Sequence, residues 1–437
     1  MRGAKSLAVL AVVLIGLVAY IFFVDRKKPA SDAPEVKQKA FTVNAEQIDA
    51  IDIKPAGGDA VRAEKINGMW QLVAPEKTDG DQAQLSNAAS SLASLDITRV
   101  VDDNPGDLKA FGLNPPKVDV AFRIKGQKDE KHLLIGEKTA TGGDLYAKTP
   151  DQKRVFLVGS FLENTFNRTP FDLRDKTALK FDQTKVTDIE LDHEGTIELT
   201  KTADDWLLAK PIKARADFAT AEAILTALSG AQMQKIEATD PKDLKMYGLD
   251  KPAATIIVSA GSTRATLAIG SMKDMSVYAR DLSRPLIFTL PQTAATDLEK
   301  TVDMLRRKDM FDARSFDAAH IELHRGNEAT VLDKSKDKTG KDVWKNSAGK
   351  QVDTAKVEEM LTKLSSIRAN IFQDRVDPAL KMPTLTATIK RDNGKTETVT
   401  FARNGNAVLA NRADEPGSAT VEVMAFNDTM TAIDAVK

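Results

Sequence analysis

The stretch Asn104-Pro105-Gly106-Asp107-Leu108-Lys109-Ala110-Phe111-Gly112-Leu113-Asn114-Pro115-Pro116 returns further along the chain as Asp240-Pro241-Lys242-Asp243-Leu244-Lys245-Met246-Tyr247-Gly248-Leu249-Asp250-Lys251-Pro252. The step from Gly112 to Gly248 is 136 residues; Trp70 to Trp206 keeps that step, and Trp344 follows 138 residues later. Three copies of one unit account for this spacing. Physically the stretch reads as a short helical turn with both ends marked. Asn104 and Asp240 suit an N-cap, and Pro105 and Pro241 suit the first helical position, where a missing N–H costs nothing. Gly112 and Gly248 supply a left-handed closing residue, and Pro116 and Pro252 direct the chain into an extended strand. Phe111 or Tyr247, with Leu113 or Leu249, would be the apolar plug beneath. The third copy keeps the start as Asp377-Pro378-Ala379-Leu380-Lys381 but runs through Met382 to Pro383 without a Gly-Leu, so a shorter turn is expected there.

Around that turn the pattern alternates between periods of two and 3.6 residues. In the first unit Ile48, Ile51 and Ile53, then residues 61–66, an Asn67-Gly68 turn and Met69-Trp70-Gln71-Leu72 predict an antiparallel meander. Leu85, Ala88, Ala89, Leu92 and Leu95 share one face of a helix over 81–95. Strands are expected at 118–124, 132–135, 145–148 and 155–158, followed by a short helix over 161–166. The second unit repeats this with a helix over 220–228 and strands at 254–258, 265–269, 277–280 and 286–290. The third has a helix over 354–364 and strands near 384–389, 396–401, 408–410 and 420–424. Phe311-Asp312-Ala313-Arg314 reads as the counterpart of Phe171-Asp172-Leu173-Arg174. The class is α+β, with three tandem, mainly antiparallel sheet-plus-helix repeats. Their bounds are 41–176, 177–313 and 314–437, the last degenerate and truncated.

Composition narrows the function. The chain has 437 residues, and 62 Lys and Arg against 63 Asp and Glu leave a net charge of −1, which gives no electrostatic case for nucleic acid. The absence of cysteine excludes disulfides, zinc-thiolate sites and iron–sulfur ligation. Residues 7–24 form an unbroken apolar run of 18 residues, about 27 Å as a helix, which is long enough for a transmembrane anchor. Residues 25–40 read as a solvated stalk. Flanking charges nearly balance, with Arg2 and Lys5 before the run and Arg26, Lys27 and Lys28 after it, so they do not choose an orientation.

Few residues suggest chemistry. His320-Ile321-Glu322-Leu323-His324 would place two imidazoles and a carboxylate on one strand face, a weak metal candidate. The corresponding strand of the second unit carries Asp188, Glu190 and Asp192, so a merely polar face is the expected reading. Leu134-Ile135-Gly136-Glu137-Lys138 and Ala268-Ile269-Gly270-Ser271 lack the order of a phosphate loop and read as strand ends. Trp70, Trp206 and Trp344 sit between apolar neighbours and are expected in the core. No catalytic residue, cofactor or metal is assigned.

The ensemble of Trp70, Phe111-Gly112-Leu113, Pro116, Ile135-Gly136 and Tyr146, repeated as Trp206, Tyr247-Gly248-Leu249, Pro252, Ile269-Gly270 and Tyr278, resembles the bacterial family called domain of unknown function 4340. In the third unit Leu409 stands where the Tyr would be. The resemblance covers nearly everything past residue 40. It implies a single-pass protein of the cytoplasmic membrane, with residues 1–6 as a cytoplasmic tail and the repeats on the extracytoplasmic, periplasmic side. It also implies a neighbourhood of ABC-transporter components of the gliding-motility-associated type. The expected function is a non-enzymatic accessory protein binding membrane subunits of such a transporter or envelope complex. An envelope-polymer or lipid-binding module is the alternative, with an enzyme ranked below both.

Overall fold

The computed structural model describes residues 38–203 and 205–436, so the apolar run at 7–24 and most of the stalk lie outside the described residues. Among the described residues no helix is long and apolar enough to cross a membrane. The chain divides into two compact units, the first ending at Asp175 and the second beginning at Lys176.

In the first unit the alternating segments pair as hairpins. Strands β1 (Ile48–Pro55), β2 (Val61–Ile66), β3 (Met69–Ala74), β4 (Thr78–Asp79), β5 (Arg99–Asp102), β6 (Val118–Ile124), β7 (Glu130–Lys138), β8 (Asp144–Lys148) and β9 (Val155–Gly159) form one nine-stranded sheet in the order β4-β3-β2-β1-β6-β7-β8-β9-β5. The β1–β6 pairing at its centre is antiparallel and joins two meanders separated in sequence by a helix and the signature turn. The second unit holds two more nine-stranded sheets of the same order, one from Val186–Asp192 to Ile287–Pro291, the other from Ala318–Arg325 to Ser418–Val421. The repeated sheet-plus-helix architecture is therefore as the periodicity implies. The third sheet is complete, so the expected truncation does not reach it.

Each sheet buries one face under its main helix. Helix α1 (Gln82–Ala93) starts where the Asp81 side chain accepts the Gln84 N–H at 3.0 Å, and it turns Leu85, Ala88, Ala89 and Leu92 inward. These pack with Trp70, Ile51, Phe122, Ile135 and Phe156 in one core. Two short helices, α2 (Phe161–Phe166) and α3 (Pro170–Leu173), close the repeat, and Thr169 caps the latter. The second repeat has α4 (Phe218–Gly230) with Asp217 as N-cap, then α5 (Gln292–Leu298) and α6 (Val302–Leu305), capped by Thr301. In the third, α7 (Thr354–Ser365) is followed by one continuous helix, α8 (Val423–Val436), in place of the broken pair. The caps also correct one match. Thr169 aligns with Thr301, so the counterpart of Phe171-Asp172-Leu173-Arg174 is Asp303-Met304-Leu305-Arg306. Phe311-Asp312-Ala313-Arg314 instead begins the third repeat, with Phe311 fully buried in its core.

The signature turn lies against the other side of the sheet. It is a 3-10 turn, Lys109–Phe111 or Lys245–Tyr247, and it begins later than Asn104 and Asp240 suggest. The acid that steadies its start is Asp107 or Asp243, whose carboxylate accepts the Lys109 or Lys245 N–H at 2.8 or 2.9 Å. Only the third copy uses the Asp-Pro pair as read, with Asp377 as N-cap and Pro378 in the first turn. Gly112 and Gly248 do close the first two turns in the left-handed region, both at φ 65°. The Leu113 and Leu249 N–H groups reach back to the Leu108 and Leu244 carbonyls at 3.0 Å, a Schellman closure.

This closure aims the Phe111 and Tyr247 carbonyls at a strand. A Cβ at Gly136 would overlap the Phe111 carbonyl oxygen, and one at Gly270 would overlap that of Tyr247. Leu113 and Leu249 are buried beside these glycines. Phe111 packs edge-on against Tyr146, and Tyr247 against Tyr278, each with ring centroids 5.1 Å apart. In the third repeat the turn ends at Met382 with φ −122°, and the strand position of the glycine is Ala402. Leu380, Ala402 and Leu409 pack together there, so a methyl group and a leucine fill the space that a carbonyl and a tyrosine take elsewhere.

The two turn types make opposite demands on one position. Gly270→Ala places a methyl group against backbone and is expected to destabilise by about 2 kcal/mol or more, whereas Ala402→Gly costs about 1 kcal/mol. Thermal melts of the two purified variants check this, and equal small losses would contradict it.

Candidate functional site

The repeated residues are spent on packing. Trp70, Trp206 and Trp344 are buried to 1% exposure or less, each with a lysine ammonium over its ring: Lys65 at 4.8 Å, Lys201 at 5.2 Å and Lys334 at 5.8 Å. Trp206 also donates its Nε1–H to Glu222 at 2.8 Å, and Glu222 pairs with Lys201. Pro116 and Pro252 lie just before the strands Val118–Ile124 and Ala254–Ala260. Phe111, Gly112, Leu113, Gly136 and Tyr146, like Tyr247, Gly248, Leu249, Gly270 and Tyr278, meet at the turn–strand contact.

His320 and Glu322 share a strand face with His324, as their spacing requires. His320 is held between two carboxylates, with Nδ1 2.7 Å from Asp333 and Nε2 3.0 Å from Glu322, while His324 stands 3.9 Å from Glu322. The hydrogen bond to Asp333 raises the His320 pKa against the effect of burial, and Glu322 adds to it. The arrangement suits an imidazolium clamped between strands. Among the described residues no three His, Cys, Asp or Glu side chains gather as a metal set.

The densest ionic constellation lies where the second and third sheets meet, and of its residues only Asp312, in Phe311-Asp312-Ala313-Arg314, falls in a stretch singled out from sequence. Arg215, just before α4, reaches Asp312 and Glu415 at 2.6 Å each. Arg306, at the end of α6, donates to Glu415 and to the Pro416 carbonyl, and stacks 4.0 Å over the Phe372 ring. Arg307 bridges Asp205 and Asp312 at 2.6 and 3.1 Å. Arg412, only 3% exposed, holds Glu397 and Asp414 and donates to the Met310 carbonyl. Burial pushes the Asp312 carboxyl up, but the charges of Arg215, Arg307 and Arg412 outweigh it and leave the carboxyl below its usual range. Burial pushes the Asp414 carboxyl up as well, but the hydrogen bond and the charge of Arg412 together leave it lowered.

The connecting segment adds backbone to this seam. On one side the Arg307 N–H donates to the Arg215 carbonyl, and the Asp217 N–H to the Leu305 carbonyl. On the other the Ala369 N–H donates to the Lys308 carbonyl, and the Met310 N–H to that of Ile367. Residues 305–310 thus tie into both repeats, through isolated bridges of Arg306 to Ala216 and of Asp309 to Arg368. Beside them an open apolar hollow of about 350 Å³ is walled by Leu207, Leu208, Ala209 and Ala214 of the second repeat and by Asp414 and Glu415 of the third.

Among known proteins, the family model described as Domain of unknown function (DUF4340) matches twice, over residues 70–213 and 206–383. No curated protein matches the chain. Among solved structures, a DNA polymerase sliding clamp from Pseudomonas aeruginosa is 10% identical over 88% of this chain and 93% of its own, with a TM-score of 0.16. A DnaN sliding clamp from Pseudomonas aeruginosa bound to griselimycin is 8% identical over 89% and 94%, with a TM-score of 0.15. At those scores neither likeness carries an argument.

Two titrations test the electrostatics. Asp312 contributes stability above the unfolded carboxyl pKa of about 4 and loses it as pH falls through the lower folded value. Asp312→Asn is therefore expected to lower the melting temperature at pH 7 and to flatten its fall between pH 5 and pH 2; an unflattened fall would contradict the seam's electrostatics. His320 acts with the opposite sign. Its contribution is complete below about pH 6.5 and is lost as pH rises through the raised folded value. A histidine NMR titration is expected to place the His320 midpoint above that of free histidine.

Proposed function

The chain belongs to the DUF4340 family, and on that premise we propose that it is a non-enzymatic accessory protein, anchored in the bacterial cytoplasmic membrane through residues 7–24. In this reading the repeats stand on the periplasmic side and bind membrane subunits of an ABC-type transporter or envelope complex.

The observation that carries the reading is the division between kept and varied residues. The turn–strand contact recurs in the first two repeats, with its apolar core inside the fold. The residues that follow on the strand are Glu137-Lys138, Ser271-Met272 and Arg403-Asn404, which differ in charge and size. One scaffold presenting three different surfaces suits binding of distinct protein faces better than it suits a repeated reaction. The hollow beside the seam supports the same reading, since it offers apolar wall from one repeat and carboxylates from the next. The 18-residue apolar run supplies the anchor.

The test is purification of the tagged full-length protein from its native membrane in mild non-ionic detergent, with mass spectrometry of what remains bound. ABC-transporter membrane subunits at near-equal amount are the expected result. Recovery of the protein alone, or with an envelope polymer or lipid in their place, would overturn the transporter assignment.

A further inference from the structure

The first unit contains a cleft of about 560 Å³ at one end of its sheet. Three pieces of chain wall it: the β1–β2 turn over Gly57, Gly58 and Asp59, the ends of β6 and β7 at Lys117 and Glu137-Lys138, and the α2–α3 link at Asn167-Arg168-Thr169. Its charged walls are mostly self-neutralised. Lys117 pairs with Glu137 at 3.0 Å, and Lys138 with Glu163 at 2.6 Å. Arg168 is different. Its Nε is buried with no hydrogen-bond partner, and among the described residues no carboxylate lies within ion-pair distance of its guanidinium.

A buried guanidinium nitrogen without an acceptor is costly, because the group has given up water and gained nothing. Guanidinium presents its donors as a planar fork that matches a carboxylate or a phosphate. The cleft falls within the size range of small-molecule sites. These features are not part of the repeated scaffold. The second-repeat residues at the same places are Ala253 for Lys117, Ser271-Met272 for Glu137-Lys138, and Lys300 for Arg168. In the third repeat the continuous helix α8 removes the link that carries Arg168.

We propose that this cleft is a binding site for an oxyanion, a carboxylate or phosphate group, with Arg168 as its principal donor. Lys117 and Lys138 line the cleft with their charges already offset by Glu137 and Glu163, which leaves the attraction for an anion to Arg168. The anion can be a free small molecule or the headgroup of an anionic amphiphile, and both present the same group to Arg168. This site is independent of the partner-binding reading above, which fails or stands on co-purification alone.

The experiment is calorimetric titration of the full-length protein in non-ionic detergent with inorganic phosphate, with acetate, and with short-chain phosphatidylglycerol below its micelle concentration. The wild type is expected to bind at least one of the three at one site per chain. Phosphate or acetate binding identifies a free anion, whereas phosphatidylglycerol binding alone identifies a headgroup. Arg168→Gln is expected to weaken that binding about ten- to a hundredfold, and Lys300→Gln, at the matching place in the second repeat, to leave it unchanged. Should Arg168→Gln fail to fold, Arg168→Lys keeps the charge but loses the fork, and it is expected to bind about tenfold more weakly. No binding of any probe, or equal binding by the wild type and the folded Arg168 variant, would overturn the proposal.

Discussion

The contact between a turn carbonyl and a strand glycine is the constraint from which the repeat is built. A Schellman closure at Gly112 or Gly248 fixes where the Phe111 or Tyr247 carbonyl points, and only a residue without a Cβ can stand beneath it. Leu113 and Leu249 are thereby held against the face of the sheet away from the main helix. Phe111 and Tyr247 then meet the tyrosines of the next strand edge-on. Around the glycine the sheet is covered on both faces, by helix on one side and by the turn on the other, while the central strand keeps a polar, partly exposed outer face. The third repeat meets the same requirement differently: Ala402 and Leu409 supply from the strands the volume that its turn does not.

Between the second and third repeats the dependence is electrostatic as well as hydrophobic. Four arginines and five carboxylates are interleaved so that each buried charge faces an opposite one, and residues 305–310 hydrogen-bond to both sheets. Buried pairs contribute little net stability over apolar packing, but removing one partner strands the other. Such a seam acts mainly to fix one arrangement of the two repeats. The hollow that both repeats wall depends on that arrangement.

Much of this was legible in sequence where local patterns carry it. The 3.6-residue spacing of Leu85, Ala88, Ala89 and Leu92 located α1, and the alternation in Val118–Ile124 gave that strand its bounds. The edge strand Arg99–Asp102 was not legible, because its residues are largely exposed and show no apolar alternation. Asn104-Pro105 looked like a cap since its residue types suit one, but Asp107 stands at the geometrically useful distance from Lys109. The seam left little local trace beyond Asp312. Arg215 and Glu415 are 200 residues apart, and neither belongs to a repeated motif. Arg168 was hidden for a related reason: an unpartnered guanidinium is defined by what surrounds it in space.

The central claim is that turn type and strand residue are one coupled choice, and a thermodynamic cycle tests it most directly. The three other corners of the cycle around the wild type are Gly270→Ala alone, the turn 243–252 replaced by the sequence of 377–383 alone, and both together, with the free energy of unfolding measured for each. The account predicts that the double change is less damaging than the sum of the single ones by about 1 kcal/mol or more. Additivity within about 0.5 kcal/mol would mean that the two positions do not sense each other, and would contradict it.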